Sequence, residues 1–498
     1  MNVLFVTAEL YPFAKEGGLA DVSASLPRAL TRRGIDVRIV MPAYPQALDR
    51  APSLRKILSL GNPFGFGESK LLEAYLPGSE VPVWLVDCPA LYGREGGLYR
   101  DHKGCDWMDN DVRFALLSHV SAAIARESAS QWRPDIVHAN DWHTGLLPAL
   151  LVERDRPRPA TVFTIHNLAH QGCFAKDRIE RLGLPESSRN ALEFHGKISF
   201  LKAGIDLADA ITTVSPTYAK EIMTVECGCG LDETLRERAT HVRGILNGID
   251  YDIWDPGADP HIARNYSGQT AGLKAINKRV LQSEMGLDVD MEKPLLVFAS
   301  RLVHQKMPDA VLETLPALIE DGMQFALVAE GERDYQNRFR LLAEDYPGRV
   351  AVQIGYEEGQ AHRLMAGADI LLHPSRFEPC GLVPIYALRY GTIPVVRSSG
   401  GMADTVTDAT ASALQRGTAT GFSFEPPNAT QLLRAVRRAH TYFRQPIIWH
   451  KLRQAAMRQD FGWRRSAEAY ADIYYALTNA RRTTNARSKS DESVKLFA

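Results

Sequence analysis

The chain has 498 residues, of which 45% are hydrophobic and 23% are charged. That composition is typical of a globular protein, and the length exceeds what one hydrophobic core usually supports, so we expect two domains. The 58 basic and 59 acidic residues leave a net charge of -1, which argues against nucleic acid or an acidic membrane surface as a partner.

Cysteine usage and the amino terminus indicate the compartment. Of the six cysteines only Cys227 and Cys229 are close in sequence, and their spacing fits neither a zinc site nor a redox motif. We therefore expect free thiols in a reducing environment. Residues 1–8 resemble a buried strand rather than a signal peptide, and no apolar run reaches the ~18 residues that span a bilayer. These features predict a cytoplasmic protein.

The first half of the chain alternates apolar runs with amphipathic stretches. An apolar run of strand length is typical of a strand buried on both faces of a parallel sheet. A helix over 20–32, ended by Gly34, separates the first two runs. This pattern predicts a Rossmann-like domain over 1–245 with strands at 3–8, 35–41, 81–87, 136–139, 161–165 and 210–214.

The second half repeats the plan. Its predicted strands cover 295–299, 325–329, 350–354, 370–373 and 393–396. Glycines and prolines over 247–260 break the periodicity, which predicts a second Rossmann-like domain over 246–462. Helix 463–477 is expected to cross back to the first domain, and the polar residues 478–498 are expected to be disordered. The predicted fold class is α/β, with two doubly wound domains facing each other across a cleft.

Residues 375–382, Ser-Arg-Phe-Glu-Pro-Cys-Gly-Leu, place Glu378 between a predicted strand and a helix that starts near Leu382. Such a junction opens at the carboxyl edge of a parallel sheet, where ligands bind. The first N–H groups of the helix lack partners and favour an anion. A carboxylate there fits a substrate whose phosphate lies beside a neutral or cationic reacting carbon, as in a sugar nucleotide. The alternative is that Glu378 only caps the helix.

Two further strand-to-helix loops carry ligand-binding chemistry. The stretch 15–18, Lys-Glu-Gly-Gly, allows the backbone to approach a ligand closely, although a plain tight turn has the same pattern. Arg301 and Lys306 lie in one predicted loop, so two cations could converge on one diphosphate. Two solvated surface cations are the alternative. The Gly-x-Gly-x-x-Gly fingerprint of dinucleotide sites does not occur at the first strand.

Polar residues also end two predicted strands of the first half, at 138–143 (His-Ala-Asn-Asp-Trp-His) and 164–167 (Thr-Ile-His-Asn). Each histidine alone is more often structural than catalytic. Several polar strand ends on one sheet edge favour a binding site, because a buried edge otherwise avoids polar groups.

Together these motifs resemble those of the bacterial and plant glycogen (starch) synthases, the retaining glucosyltransferases of family five, which have the GT-B fold. The resemblance covers about residues 1–477 and implies transfer of glucose from ADP-glucose to the non-reducing 4-hydroxyl of an α-1,4-glucan such as glycogen, without a metal or other cofactor. The motifs, in the family's order, are Lys15-x-Gly-Gly-Leu-Ala-Asp-Val, His138-x-x-Asp-Trp-His, Thr164-Ile-His-Asn, Thr213-Val-Ser-Pro-Thr-Tyr, Asn247-Gly-Ile-Asp, Ser300-Arg-Leu-x-x-Gln-Lys, Ser375-Arg-Phe-Glu-Pro-Cys-Gly-Leu and Gly400-Gly-x-x-Asp-Thr-Val.

The resemblance also implies roles for single residues. The implied catalytic residues are Glu378 beside the glucose, Arg301 and Lys306 on the departing ADP, and His166 at the glucose 6-hydroxyl. Tyr356 would stack on the adenine. The implied donor-binding set is Lys15, Gly17, Gly18, Tyr356, Cys380, Gly381, Leu382 and Val383. The implied glucose and acceptor side is Glu9, Asp141, Asn167 and Tyr92.

Three positions depart from the family's pattern: Glu16 replaces a usual Thr, Val383-Pro384 replaces Thr-Gln, and His170 replaces Tyr. They leave open a related transferase with a different donor, such as UDP-glucose, or a different acceptor. A glucan-binding regulator without catalysis is a third hypothesis.

A nucleoside diphosphate leaves readily, so cations can replace the acid that a glycosidase needs. A covalent intermediate and same-face attack both stay open, as does the oligomeric state.

Overall fold

The computed structural model describes residues 1–51, 53–62, 64–126, 132–152, 158–355 and 357–495, with side chains as far as 481. The chain forms two compact units. Unit 1 comprises Met1–Val214, Ala219–Gly248 and the residues from Trp463 onward, and unit 2 comprises Ser215–Tyr218 and Ile249–Gly462. Among the described residues, no helix combines the length and apolar character that crossing a membrane requires.

Unit 1 is built on a large sheet and a small one. The strands described in it are β1 (Asn2–Val6), β2 (Asp36–Pro42), β3 (Arg55–Gly61), β4 (Ser69–Tyr75), β5 (Pro82–Asp87), β6 (Ile136–Asn140), β7 (Ala160–Ile165), β8 (Cys173–Ala175), β9 (Glu193–Phe194), β10 (Lys197–Ser199), β11 (Ala210–Thr213) and β12 (Val242–Gly244). The large sheet has the order β12-β11-β7-β6-β1-β2-β5-β4-β3, and the small sheet has the order β8-β10-β9.

The centre of the large sheet is parallel and buried. β1 pairs with β2 on one side and β6 on the other, so the strand order reverses between β1 and β6. All residues of β6 and β7 are buried, which accounts for their continuous apolar or neutral sequence. β4 runs antiparallel to both β3 and β5. This hairpin is a correction to the prediction of purely parallel sheets, and its mostly exposed edge strand β3 lacks the apolar run of a buried strand.

Helices cover this sheet. The described α-helices within residues 1–248 are α1 (Gly18–Thr31), α2 (Pro45–Arg50), α3 (Pro89–Tyr92), α4 (Asn110–Arg126), α5 (Leu146–Leu151), α6 (Glu186–Arg189), α7 (Phe200–Leu207), α8 (Pro216–Glu221), whose first three residues are counted with unit 2, and α9 (Asp232–Glu237). α4 is buried over most of its length, because it packs against α5 and against strands of the sheet. The predicted doubly wound architecture is confirmed for this unit.

Unit 2 is a parallel doubly wound domain. Its described strands are β13 (Leu295–Phe298), β14 (Gln324–Ala329), β15 (Val350–Ile354), β16 (Ile370–His373), β17 (Ile393–Arg397) and β18 (Phe422–Phe424). They pair in parallel in the order β15-β14-β13-β16-β17-β18, so the order reverses between β13 and β16. Its described helices are α10 (Lys274–Glu284), α11 (Pro308–Glu320), α12 (Arg333–Asp345), α13 (Glu358–Gly367), α14 (Leu382–Arg389), α15 (Gly400–Thr405), α16 (Ala411–Arg416), α17 (Ala429–Phe443) and α18 (Pro446–Met457).

The last helix, α19 (Trp463–Lys495), packs on α1 and belongs to unit 1. The hydroxyl of Tyr474 lies 2.7 Å from Nδ1 of His138 in the buried sheet, which fixes the helix against β6. The helix continues past residue 477, where the sequence suggested that it ends and that a disordered tail begins. No glycine or proline interrupts it, and alanine and arginine are strong helix formers, so the backbone stays helical to Lys495.

Candidate active site

The candidate catalytic residues of unit 2 lie at the point where its strand order reverses. Loops that follow the two strands flanking such a point diverge and open a crevice at the carboxyl edge of the sheet. Arg301 and Lys306 follow β13, and Glu378 follows β16. The two loops are joined by the N–H of Arg376, which donates to the Gln305 carbonyl oxygen at 2.8 Å. The fold therefore brings together the cations and the carboxylate that the sequence singled out.

Glu378 is a buried carboxylate surrounded by donors. It is 7% exposed, and its Oε2 accepts hydrogen bonds from Lys306 Nζ, from Ser375 Oγ at 2.8 Å and from His373 Nε2 at 3.0 Å. Burial alone would raise the pKa of Glu378, but the charge of Lys306 and the hydrogen bond from His373 lower that pKa far below its usual range. Glu378 therefore carries a negative charge. Its other oxygen, Oε1, accepts no hydrogen bond from the described residues.

The alternative that Glu378 caps a helix does not agree with the structure. Helix α14 begins at Leu382, its N-cap residue is Gly381, and no side chain caps it. Gly381 has a left-handed φ of 79°, and a Cβ there would lie 3.1 Å from Met402 Cγ and 3.4 Å from Glu378 Cγ. The glycine is thus required for the turn. The carboxylate of Glu378 is bound by Lys306, Ser375 and His373 and not by the N–H groups of α14.

The second Gly-Gly motif supports the backbone of the Glu378 loop. A Cβ at Gly400 would lie 1.9 Å from the carbonyl oxygen of Glu378, and one at Gly401 would lie 2.0 Å from that of Cys380. The N–H of Gly401 donates to the Glu378 carbonyl oxygen at 3.2 Å. Only glycine permits this approach, so these residues hold the position of Glu378.

The remaining donor-side residues of unit 2 surround this loop. Arg301 is exposed, and its guanidinium has no ion pair or hydrogen bond with the described residues. Cys380 is buried, whereas Leu382 and Val383 are half-buried at the start of α14. Tyr356 lies outside the described residues. Within the described part of the chain, no three His, Cys, Asp or Glu side chains are grouped as metal ligands.

In unit 1 the corresponding reversal lies between β1 and β6, and Glu9 follows β1. Its Oε2 accepts from the N–H groups of Glu16 at 2.9 Å and Gly17 at 2.8 Å, and its Oε1 accepts from the Tyr99 hydroxyl at 2.7 Å. Burial raises the pKa of Glu9 in spite of these donors. Glu9 thus holds the backbone of the Gly-Gly loop, and the N–H of Gly17 donates to Glu9. Lys15, in the same loop, pairs with Asp21 at 2.9 Å.

Gly17 and Gly18 differ from the glycines of unit 2. Gly17 is half-buried with an extended φ of -152°, and Gly18, the first residue of α1, is exposed. A Cβ at Gly17 would meet no protein atom within 4 Å. Neither backbone conformation nor protein packing therefore requires a glycine at position 17, and the space beside it is open.

Asp141 links the ends of β6 and β7. It is 6% exposed and has a φ of 59°, a backbone conformation that is uncommon for residues other than glycine. Its Oδ1 accepts from the N–H of His166 at 3.2 Å and approaches the N–H of Asn167 at 3.5 Å. Burial raises the pKa of Asp141 to about 7. The predicted residues Asp141, His166 and Asn167 therefore lie together.

His166 is half-buried, and its Nε2 lies 3.0 Å from Oδ1 of Asn140. Burial lowers the pKa of His166 to about 3, so the ring is neutral at physiological pH. Asn140 itself was not among the predicted site residues. In its motif, only Asp141 and the histidines were considered as site residues. An asparagine at the end of a strand does not by itself indicate a functional role.

The structure brings Tyr99 rather than Tyr92 to this cluster. Tyr92 is 1% exposed, its hydroxyl donates to the Arg113 carbonyl oxygen at 2.5 Å, and its ring packs edge-on against Tyr44. Tyr99 donates to Glu9 and stacks on His143 at a ring distance of 4.5 Å. Tyr99 lies in an irregular loop, where sequence periodicity gives no indication of what a side chain contacts.

Comparison with known proteins identifies related chains along nearly the whole length. The model of the starch synthase catalytic domain matches residues 2–237, and that of the group 1 glycosyl transferases matches residues 284–442. A glycogen synthase from Paramagnetospirillum magneticum is 49% identical over 483 residues, which is 96% of this chain and 98% of the relative. One from Burkholderia thailandensis is 49% identical over 485 residues, covering 96% and 91%.

A solved structure agrees with these relatives. The catalytic domain of starch synthase IV from Arabidopsis thaliana, bound to ADP and acarbose, superposes with a TM-score of 0.87 at 30% identity. The match covers 96% of this chain and 99% of that one. Because these matches cover 96% of this chain and nearly all of each relative, the chain belongs to the glycogen and starch synthase family of GT-B glycosyltransferases.

Proposed function

We propose that this chain is a glycogen synthase that transfers glucose from ADP-glucose to the non-reducing 4-hydroxyl of an α-1,4-glucan, with retention of configuration. The observation that carries the proposal is the charged Glu378 carboxylate held beside Lys306 where the strand order of unit 2 reverses. The relatives named glycogen synthase, and the related starch synthase with ADP bound, support this choice of donor and product.

The two cations after β13 would act on the leaving group. When the bond from glucose to the diphosphate breaks, negative charge builds up on the phosphate, and Lys306 and Arg301 can offset it. A charge-assisted hydrogen bond contributes about 1.5–3 kcal/mol, and one directed at charge that develops in the transition state is worth about 10²–10³ in rate. We propose that these cations supply the electrostatic stabilisation and that catalysis needs no metal or cofactor.

Glu378 would act on the sugar. As the leaving group departs, positive charge develops at the anomeric carbon, and a fixed carboxylate nearby stabilises it. All three donors bind Oε2, so Oε1 is available to the sugar. In this position Glu378 could attack the anomeric carbon as a nucleophile or stabilise its positive charge without forming a bond. The proposal includes both routes to retention of configuration.

Unit 1 would contribute to the glucose and the glucan. The neutral His166 can accept a hydrogen bond from the glucose 6-hydroxyl, and Asp141 and Asn167 lie next to it. The space beside Gly17 would admit the diphosphate close to the backbone of the loop that Glu9 shapes. Tyr356 is proposed to stack on the adenine.

Transfer can be measured with radiolabelled ADP-glucose and glycogen, with radiolabelled UDP-glucose as the control donor. We expect label in the polymer from ADP-glucose, removable by β-amylase because the new linkages are α-1,4. Faster transfer from UDP-glucose would contradict the proposed donor. Tight binding of glycogen without turnover of either nucleotide sugar would favour the regulator instead.

A further inference from the structure

We propose that Asn140 is a positioning residue for glucosyl transfer, because it fixes His166 in the tautomer whose Nδ1 accepts a hydrogen bond from a substrate hydroxyl. This inference rests on the proposed function, since it assigns the atom of His166 that meets the sugar. Asn140 lies at the end of β6, one residue before Asp141.

The orientation of the Asn140 amide follows from its surroundings. The residue is fully buried, and its Nδ2 lies 3.1 Å from the Val6 carbonyl oxygen and 3.3 Å from that of His138. Carbonyl oxygens only accept hydrogen bonds, so the amide nitrogen must be the atom that faces them. The Oδ1 atom therefore faces the opposite way, and its neighbour there is Nε2 of His166 at 3.0 Å.

This orientation determines where the proton of His166 sits. An amide oxygen accepts and cannot donate, so Nε2 of His166 must carry the hydrogen. In a neutral imidazole the other nitrogen then has a free lone pair. Nδ1 of His166 makes no hydrogen bond with the described residues, and the ring is half-buried, so this nitrogen is open to a ligand.

Asn140 also ties His166 to the sheet. The carbonyl oxygens of Val6 and His138 belong to β1 and β6, the two strands between which the order of unit 1 reverses. A hydroxyl that approaches His166 thus meets an acceptor whose position is set by two buried strands. With the other tautomer Nδ1 would be a donor, and the hydroxyl would have to accept instead.

The tautomer can be observed directly by NMR on protein labelled with ¹⁵N-histidine, in which His166 is assigned from its loss in His166→Asn. We expect a protonated Nε2 and a bare Nδ1 in the wild type. In Asn140→Ala the two tautomers should mix, and kcat should fall about 10- to 100-fold because the acceptor is no longer held in place. KM for ADP-glucose should change less than kcat.

Asn277→Ala is the matched control. Asn277 is a buried asparagine of unit 2 whose amide group makes two hydrogen bonds to the backbone of Arg264. Its loss should lower stability about as much as that of Asn140 and leave kcat and the His166 signals unchanged. A similar loss of kcat in both variants would mean that Asn140 acts only through stability and would overturn the inference.

A second pair of variants keeps the test valid if Asn140→Ala does not fold. The side-chain amide of asparagine at position 166 can place an oxygen where Nδ1 lies, whereas that of glutamine reaches the place of Nε2. His166→Asn should therefore retain more than about ten times the kcat of His166→Gln, since only the former restores the acceptor. The reverse order, or a protonated Nδ1 in the wild type, would overturn the inference. The NMR result needs no turnover, so it is independent of whether wild-type protein transfers glucose.

Discussion

Lys306 donates from Nζ to Oε2 of Glu378, and so joins a cation after β13 to a carboxylate after β16 within the fold itself. Both side chains are largely buried, with 12% and 10% of their surfaces exposed. From the sequence, Glu378 was interpreted either as the partner of a sugar-nucleotide substrate or as a helix cap. Lys306, His373 and Ser375 compensate the charge of Glu378 and hold its carboxylate in position.

Lys306→Met and Glu378→Gln should be strongly non-additive. Removing one member of a buried pair leaves the other without compensation, at a cost of about 3–5 kcal/mol in the free energy of unfolding. The double variant should lose less than the sum of the single losses, with a coupling of about 0.5–3 kcal/mol. Urea unfolding of the four proteins measures this, and additive losses would show that the pair is not coupled.

The same pair sets a pH dependence. The pKa of Glu378 is lowered in the folded protein, so its stabilising contribution is present above the ordinary carboxyl pKa and is lost as the pH falls towards the lowered value. The stability difference between wild type and Lys306→Met should therefore be largest near neutral pH and should shrink in acid. A difference that is constant from pH 7 to pH 3 would contradict this assignment.

Asp141→Asn should stabilise the protein at alkaline pH. The pKa of Asp141 is raised to about 7, so between pH 4 and pH 7 the folded protein holds a proton that the unfolded chain releases. Wild-type stability falls across this range, and an uncharged asparagine removes the penalty while tolerating the positive φ. We expect a gain of about 1–4 kcal/mol at pH 8 and none at pH 4, measured by urea unfolding.

Asp345→Asn, at an exposed carboxylate of α12, is the control for Asp141→Asn and should change stability little at either pH. An equal gain for Asp141→Asn at pH 4 and pH 8 would attribute the effect to backbone conformation alone. Slower glucosyl transfer by the more stable variant would agree with a functional role for the buried carboxylate.

Tyr99→Phe and Tyr92→Phe should separate function from packing. Tyr99→Phe removes the hydroxyl that donates to Glu9 Oε1, which leaves a buried carboxyl with fewer donors beside the Gly-Gly loop. Tyr92→Phe removes a hydrogen bond to the backbone of Arg113 in the core. We expect Tyr99→Phe to lower kcat/KM clearly, and Tyr92→Phe to cost about 1 kcal/mol in stability with kcat/KM retained.

Steady-state kinetics with ADP-glucose and thermal unfolding of both variants provide the comparison. If Tyr92→Phe lowered kcat/KM at unchanged stability, Tyr92 would have the role on the acceptor side that the sequence predicted for it.

Features that depend on one short stretch of sequence were predicted better than those that depend on contacts between distant stretches. The strands at 350–354 and 370–373 agree residue for residue with β15 and β16, because each is a short, mostly apolar run between loops, although only β16 is fully buried. The hairpin of β3 and β4 was missed, since an exposed antiparallel edge has neither an apolar run nor strict alternation. Glu378 and Lys306 are far apart in sequence, and only the order of β13 and β16 in the sheet places them in contact.

Restoring the family's usual residues at two positions should improve donor binding. Glu16 is exposed at the Gly-Gly loop, where its charge would repel a diphosphate near Lys15. Like charges a few ångströms apart cost about 1–4 kcal/mol before screening by salt. Glu16→Thr together with Val383→Thr should lower KM for ADP-glucose several-fold, with the effect of Glu16→Thr shrinking at high ionic strength.

Single variants separate the two contributions, because Val383→Thr restores a hydroxyl and should be insensitive to salt. An unchanged or higher KM in the double variant would show that Glu16 is turned to solvent in the complex, or that the natural donor is not ADP-glucose.

The most direct test of the account is the kcat of Glu378→Ala with ADP-glucose and glycogen, compared with Glu313→Ala at an exposed carboxylate of α11. We predict that Glu378→Ala loses at least about 10²-fold in kcat, because it removes the charge that stabilises the anomeric centre, while the folded protein still binds ADP. Glu313→Ala should keep wild-type kcat. A folded Glu378→Ala protein with near-normal kcat would contradict the assignment of Glu378 as the catalytic carboxylate.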